Sequence, residues 1–327
     1  MKEIKQGRIL VTSVGGDIGQ SVIQCLLDTE YADHLCGCDL DPYAAGRAYL
    51  KKFAVAPAVS DKKAYGDFII KIIHEQNIKF ILPLNEREIA YFIEENERFK
   101  ALGIKVLILN KDISNVFFDK YETIRFLNAK GFATPTTYLA EDYSGQLRFP
   151  MILKSRCACG GKGMVQVKDQ EELDFYIKKI PDCIVQEMVG DFHDEYTVGV
   201  FSDGKAVHSI AFQRYLGYGS MTKFARLVED RSLSLLAEKI AKSCELVGPL
   251  NIQLRRKPEG FLPFEINPRI SSTVYFRDRF GFKDVKWWLD IYHGKTINYF
   301  PKFKSGIAVR TVGGVFFDTK ESNLQKQ

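Results

Sequence analysis

The stretch Asn251 to Arg269, NIQLRRKPEGFLPFEINPR, admits few local geometries. Two apolar runs, Asn251 to Leu254 and Phe261 to Ile266, flank Arg255-Arg256-Lys257-Pro258-Glu259-Gly260, whose proline and glycine mark a turn. This predicts a β-hairpin. Side chains alternate faces along a strand, so Glu265 and Asn267 project to one side, and Gln253 on the partner strand lies across from them. Three oxygen-bearing side chains then converge. A hard cation such as Mg²⁺ takes carboxylate and amide oxygens and keeps its other positions for water and substrate phosphates. Arg269, just beyond, carries a guanidinium suited to a phosphate or a carboxylate. A polar surface hairpin with a solvated tip uses the same residues, so the hairpin alone leaves both readings open.

The chain has 327 residues, 46% of them hydrophobic, which is enough for a large core and suggests two or three domains. A net charge of +5 is too slight to argue for nucleic acid, though it suits a phosphate-bearing small molecule. No apolar run approaches the roughly 20 residues of a membrane span, and the N-terminus MKEIKQGRILVTS lacks the apolar core of a signal peptide. A cytoplasmic protein without a membrane partner is expected. Seven cysteines in no regular framework read as reduced thiols.

From the N-terminus, the apolar run Arg8 to Ser13 leads into Val14-Gly15-Gly16-Asp17-Ile18-Gly19-Gln20 and a helical pattern through Leu27. Strand, glycine turn and helix also describe a dinucleotide site, and Asp39 closes the next strand where a ribose-binding acid would stand. The glycine spacing fits that fingerprint imperfectly, and an NAD-binding reading stays open here. Strands at Phe53 to Ala56, Phe80 to Leu84 and Gly103 to Leu109 alternate with a helix over Lys63 to Glu75, which predicts an α/β domain closing at Asn110-Lys111-Asp112. Asn85-Glu86-Arg87-Glu88 follows a strand end, as either a helix cap or a ligand-contacting turn.

A second domain opens with a helix predicted over Ile113 to Ala129, carrying Asp119-Lys120. The strand Phe149 to Lys154 places Lys154 at its end, before a loop with Gly160-Gly161-Lys162-Gly163. A strand-terminal lysine offers a point charge to phosphates, and glycines let backbone N–H groups close over them; the GK[ST] ending of a Walker loop is absent. Cys157-Ala158-Cys159 lacks the spacing of a redox or zinc pair. A helix over Glu171 to Ile180 precedes the strand Cys183 to Val189 and the run Glu195 to Val200. After the hairpin turn Ser202 to Lys205 come a strand, Ala206 to Arg214, and the loop Tyr215 to Thr222, with Arg214, Lys223 and Arg226 as anion-binding candidates. A helix over Ser232 to Val247 and a last strand over Gly306 to Phe317 complete the expectation.

Gln253 followed by Glu265-Ile266-Asn267-Pro268-Arg269 resembles the metal-binding end of ATP-grasp enzymes, most closely that of the carbamoyl-phosphate synthase large subunit. The resemblance runs over nearly the whole chain, which would correspond to one of the two tandem units of that subunit. It implies a Rossmann-like pre-ATP-grasp domain over 1–112, then an ATP-grasp domain over 113–327 whose two α+β subdomains grip the nucleotide, with a mobile lid at about 133–188. It implies Lys120, Lys154 and the loop Gly160, Gly161, Lys162 and Gly163 at the ATP phosphates. Gln186, Glu187, Met188 and Val189 would line the adenine, and Glu195 would accept from the ribose hydroxyls. Gln253, Glu265 and Asn267 would hold Mg²⁺, with Mn²⁺ as an alternative, and Arg269 and Lys154 would carry catalytic roles. The two cysteines in the phosphate loop depart from the family pattern.

The reaction implied is an ADP-forming ligation in which ATP activates a small-molecule carboxylate as an acyl phosphate for attack by an amine. The alternatives are a carbamoyl-phosphate synthase-like phosphorylation of bicarbonate or carbamate, and a nucleotide-binding protein without catalysis. Acceptor and donor pockets share no fixed motif, so the substrates are not written in the sequence. For the assembly, a homodimer is the general expectation.

Overall fold

The structure is a computed structural model that describes residues 7–157, 163–191, 194–217, 221–311 and 313–316. Short runs rich in Ile, Leu, Val and Cys form the five parallel strands β1 (Arg8–Val11), β2 (Leu35–Asp39), β3 (Phe53–Val55), β4 (Ile78–Leu82) and β5 (Lys105–Val106), in the order β3-β2-β1-β4-β5. Helices α1 (Asp17–Leu27), α2 (Lys62–Gln76), α3 (Glu86–Glu94) and α4 (Asn96–Ala101) alternate with them. This is the doubly wound topology expected, with its switch point between β1 and β4. Leu10, Tyr65, Ile69, Ile81, Phe92 and Phe99 pack into one buried core beneath it. Asn85 caps α3 by accepting from Glu88 N, and the buried Glu88 carboxylate accepts from Thr12, Ser13 and Tyr65.

The chain then enters a second compact unit, Leu109–Ser271 with Pro301–Arg310. The single helix expected over 113–129 is in fact two, α5 (Lys111–Phe118) and α6 (Lys120–Ala129). Asp119 divides them because its extended backbone (φ −101, ψ 118) lets its carboxylate cap α6 through Tyr121 N and Glu122 N, where an interior helical residue could not. A four-stranded antiparallel sheet follows, built of β6 (Thr137–Leu139), β7 (Met151–Ser155), β8 (Met164–Val167) and β9 (Cys183–Glu187) in the order β6-β9-β7-β8. Helix α7 (Gln170–Lys179) buries Leu173 against Met151, Leu153, Val167 and Val185 on one face of that sheet. β9 ends at Glu187, two residues earlier than expected, so Met188 and Val189 lie in the segment after it.

The larger sheet of this unit has the order β14-β13-β10-β11-β12-β15, with β10 (Glu195–Asp203), β11 (Val207–Leu216), β12 (Thr222–Val228), β13 (Val247–Lys257), β14 (Gly260–Asn267) and β15 (Ile307–Val309). β10 is buried along nearly its whole length between β11 and β13. Helix α8 (Arg231–Ser243) packs on β10 and β11, burying Leu233, Ala237, Ile240 and Ala241 at helical spacing. It stops at Ser243, short of the expected Val247, which instead begins β13. The last strand is the three residues of β15; Phe317 lies outside the described residues.

Ser272–Phe300 does not continue the second unit. Its helices α9 (Val274–Arg279) and α10 (Asp284–Tyr292) group by contact with the first, packing on α1. The expected division at residue 112 into two consecutive domains therefore does not follow the contacts. Polar ties accompany this packing: Tyr31 donates to Asp290 in a buried hydrogen bond of 2.8 Å, and Lys295 pairs with Glu30 at the surface. No helix among the described residues is long and apolar enough to cross a membrane.

Candidate functional site

The β13–β14 hairpin aligns Gln253 with Glu265 and Asn251 with Asn267 as direct cross-strand partners. Leu254 pairs not with Phe264 but with Pro263, so Phe264 is an extra residue, a β-bulge, beside the acid. Glu265 Oε1 accepts from Gln253 Nε2 at 3.2 Å and from Asn267 Nδ2 at 3.1 Å. The three expected donors thus meet at one point. Burial opposes the Glu265 charge, but the positive charges of Lys120 and Lys154 and the Asn267 hydrogen bond hold its carboxyl below the usual carboxylate range. An amide turned over about its terminal torsion exchanges N–H for carbonyl oxygen, so this cluster of one anionic and two neutral oxygens fits a hard divalent cation.

Glu265 is a wall residue of a cleft in the same unit. Its walls include Ile152, Lys154 and Met164 of the small sheet, Gln186 through Gly190, and Arg255, Phe264 and Glu265 of the large sheet. Lys154 is 4% exposed, and its Nζ donates to Phe264 O at 3.4 Å and lies 5.3 Å from the Phe264 ring centre. Burial pushes the Lys154 ammonium down to about 8; Glu265 works against that shift, and Lys120 adds to it. Lys120 is not a wall residue of this cleft, and its Nζ donates to Arg156 O at 3.4 Å. Arg156 in turn forks onto the Asp119 carboxylate, tying the start of α6 to the end of β7. Gly163, just before β8, has φ +71, a conformation glycine adopts without strain. Gly160, Gly161, Lys162 and Cys159 lie outside the described residues; Cys157 is an exposed thiol.

The segment after β9 is anchored where the strand ends. Glu187 pairs with Lys257 at 2.5 Å and accepts from Thr136 N at 3.1 Å, which keeps its carboxyl low despite partial burial. Gln186 is buried and donates to Thr137 Oγ1 at 2.8 Å, while Met188 and Val189 form cleft wall. Glu195 is the residue expected to meet a ribose. It is 5% exposed and is not a wall residue; Arg214 donates to its Oε1 at 2.8 Å and Arg255 to its Oε2 at 3.1 Å. Cross-strand register enforces this, because Glu195 sits directly between Arg214 and Arg255 in the ladder. Arg214 is accordingly a buried structural partner, not an open anion anchor. Arg269 Nη1 donates to Ile270 O at 3.1 Å.

Three residues that the sequence reading passed over belong to this face. Asn251, cross-strand from Asn267, accepts from Thr197 Oγ1 at 2.9 Å, and its buried Nδ2 has no hydrogen-bond partner among the described residues. Arg255 and Lys257 follow Gln253 at the strand period of two, a signal present in the sequence but hidden inside what reads as a solvated turn. β13 instead runs on through Lys257, so both cations are strand residues. In the first unit, the Gly15-Gly16 turn is filled by its own chain: Gly15 N donates to Asp39 Oδ2 at 2.7 Å, and Asp41 N donates to Asp39 Oδ1 at 2.9 Å. Both oxygens of the acid that a dinucleotide ribose would use are engaged.

Residues 117–273 match the ATP-grasp domain family, and residues 9–107 match the PylC-like N-terminal domain family. The chain is 25% identical over 230 residues to the carbamoyl phosphate synthase large chain of Thermoanaerobacter sp. (strain X514), a match covering 64% of this chain and 21% of that one. It therefore spans about one fifth of the length of that relative. Among solved structures, N5-carboxyaminoimidazole ribonucleotide synthetase from Thermus thermophilus superposes with a TM-score of 0.74 at 15% identity, covering 92% of this chain and 82% of that one. The biotin carboxylase domain of the Hydrogenobacter thermophilus 2-oxoglutarate carboxylase, in complex with MgADP, ADP and bicarbonate, superposes with a TM-score of 0.69 at 14% identity over 89% of this chain and 71% of that one.

Proposed function

The chain belongs to the ATP-grasp proteins, and on that footing we propose that it is an ADP-forming ligase that activates a small-molecule carboxylate with ATP and joins it to an amine. The observation that carries this reading is that Lys154 and Glu265, the latter joined to Gln253 and Asn267, line one cleft together with the apolar Ile152, Met164, Met188 and Val189. An adenine ring needs an apolar slot with backbone partners, which Ile152, Met164, Met188 and Val189 provide. A triphosphate needs cations, supplied by Lys154 and Lys120.

Gln253, Glu265 and Asn267 would hold Mg²⁺, which when bound supplies charge neutralisation at the phosphates. The chain's own residues do the rest. Lys154, held by Phe264 O at the foot of the cleft, orients the phosphates for in-line attack by a carboxylate oxygen. The resulting acyl phosphate is open to an amine, and loss of phosphate completes an amide-type bond. Arg269, two residues past Asn267, is assigned to the charge on the transferred group. The scheme uses no protein nucleophile.

A second reading is favoured by the carbamoyl phosphate synthase match: phosphorylation of bicarbonate, with ammonia as the amine. One experiment separates the two and tests both. With ¹⁸O in the carboxylate, an acyl-phosphate route puts label into inorganic phosphate; label from bicarbonate alone selects the second reading. Phosphate free of label in a turning-over reaction contradicts both.

A further inference from the structure

The six-stranded sheet ends on β15, which pairs with β12 and has no strand on its other side among the described residues. Leu227 N donates to Gly306 O at 2.9 Å and Arg310 N to Lys223 O at 2.8 Å, and Ala308 stands opposite Ala225. Residues 306, 308 and 310 thus direct their backbone groups at β12, and the strand period of two turns the N–H and C=O of Ile307 and Val309 outward. The side chains along this edge are exposed as well: Ile307 by 55%, Val309 by 58% and Phe303 by 53%. Val309 ends a row across the sheet through Phe224 and Tyr215, whose rings lie 5.5 Å apart. An edge with outward backbone groups beside apolar side chains is a template for one more strand.

Charge decides which strand that is. β12 and residues 301–310 carry five cations, Lys223, Arg226, Lys302, Lys304 and Arg310, and no acid. The four lysine and arginine side chains other than Arg310 are exposed, and Arg310 Nε donates to Thr222 O at 2.9 Å. The nearest acid in sequence, Glu229, follows β12, and Asp230 beyond it is held as the cap of α8. A second copy of this chain would bring the same cations to the same edge, which opposes self-pairing; an acidic strand meets opposite charge. We propose that the β15 edge docks an extended, acid-flanked segment of a partner protein as a seventh strand, its apolar residues beside Ile307 and Val309 and its carboxylates toward Lys302 and Lys304. Backbone pairing supplies the affinity and charge supplies the choice of partner. This surface goes beyond the ligase reading and does not depend on it.

The test uses the full chain and two synthetic nine-residue peptides, EEVTVTVEE and its basic counterpart KKVTVTVKK. Fluorescence anisotropy should show saturable binding of the acidic peptide, at least about tenfold tighter than that of the basic one and weakened as salt rises from about 0.05 to 0.5 M. Protection from hydrogen exchange on adding the acidic peptide should fall on the amides of Ile307 and Val309. Val309→Pro deletes one outward N–H and leaves the bonds of residues 306, 308 and 310 to β12, so it should lose at least about tenfold in peptide affinity while keeping the urea midpoint of the wild type. Lys302→Glu combined with Lys304→Glu should turn the preference toward the basic peptide, and this variant carries the test if Val309→Pro does not fold. Equal binding of the two peptides, no binding at millimolar acidic peptide, or an affinity unchanged in both variants overturns the proposal. A wild-type dimer in sedimentation that Val309→Pro dissociates would give the edge to a second copy and overturn it as well.

Discussion

Gln253 and Glu265 face each other directly across the β13–β14 ladder, joined by a hydrogen bond of 3.2 Å from Nε2 to Oε1. Burial opposes the charge of this carboxylate, and Lys120 of α6, Lys154 of β7 and the Asn267 amide hold it low. Replacing the charge while keeping the shape isolates its role. Glu265→Gln should lower ADP formation by at least about a hundredfold and remove the Mg²⁺ dependence of nucleotide affinity, with the fold retained by circular dichroism. Unchanged Mg²⁺ dependence would move the cation elsewhere.

Lys154 sets a pH dependence. Its ammonium, brought to about 8 by burial, is charged below that pH and neutral above it. Triphosphate affinity should thus be full at pH 7 and fall as pH rises through 8, by up to about tenfold per pH unit. Stability of the ligand-free chain runs the other way. The unfolded lysine keeps its proton to about 10.4, so the folded state gains from this group as pH rises from about 8 toward that value. Titrating ATP into wild type and Lys154→Met between pH 7 and 9.5 checks this: the variant should bind weakly with a flat profile.

Glu195 lies between Arg214 and Arg255 in the ladder and is almost wholly buried. Removing it leaves the buried Arg214 and the partly buried Arg255 without their anion, so Glu195→Ala should destabilise the chain by about 3–5 kcal/mol in urea unfolding. A loss below about 1 kcal/mol would mean that water reaches the triad.

Asp119 caps α6 and receives the Arg156 fork. Asp119→Ala should cost about 1–2 kcal/mol from the lost cap and loosen the end of β7 that carries Lys154. Asp119→Asn, which keeps the cap but not the charge, should recover most of the stability and less of the nucleotide affinity.

Much of this site was legible because it depends on strand alternation. Glu265 and Asn267, and Gln253 opposite them, follow from a period of two and a turn. What escaped was long-range pairing. The extent of β13 past Gln253 was hidden by a run of arginine and lysine that reads as solvent, and only the fold shows Arg255 against Glu195 and Lys257 against Glu187. Glu195 was expected at the sugar because the run around it resembles the family; its neighbours on β11 and β13, Arg214 and Arg255, claim both its oxygens. In the first unit the alternation of strands and helices predicted the parallel sheet. The return of Ser272–Phe300 to that unit had no local signal, since Tyr31 and Asp290 meet only after folding.

The most direct measurement is ADP release with Mg²⁺ and ATP against pools of carboxylates paired with amines, bicarbonate plus ammonia forming a separate well and Glu265→Ala the control. ADP release that requires a carboxylate pool and an amine, and is lost in the variant, is the predicted result. A wild-type chain that binds no Mg-ATP at all would contradict the account at its centre.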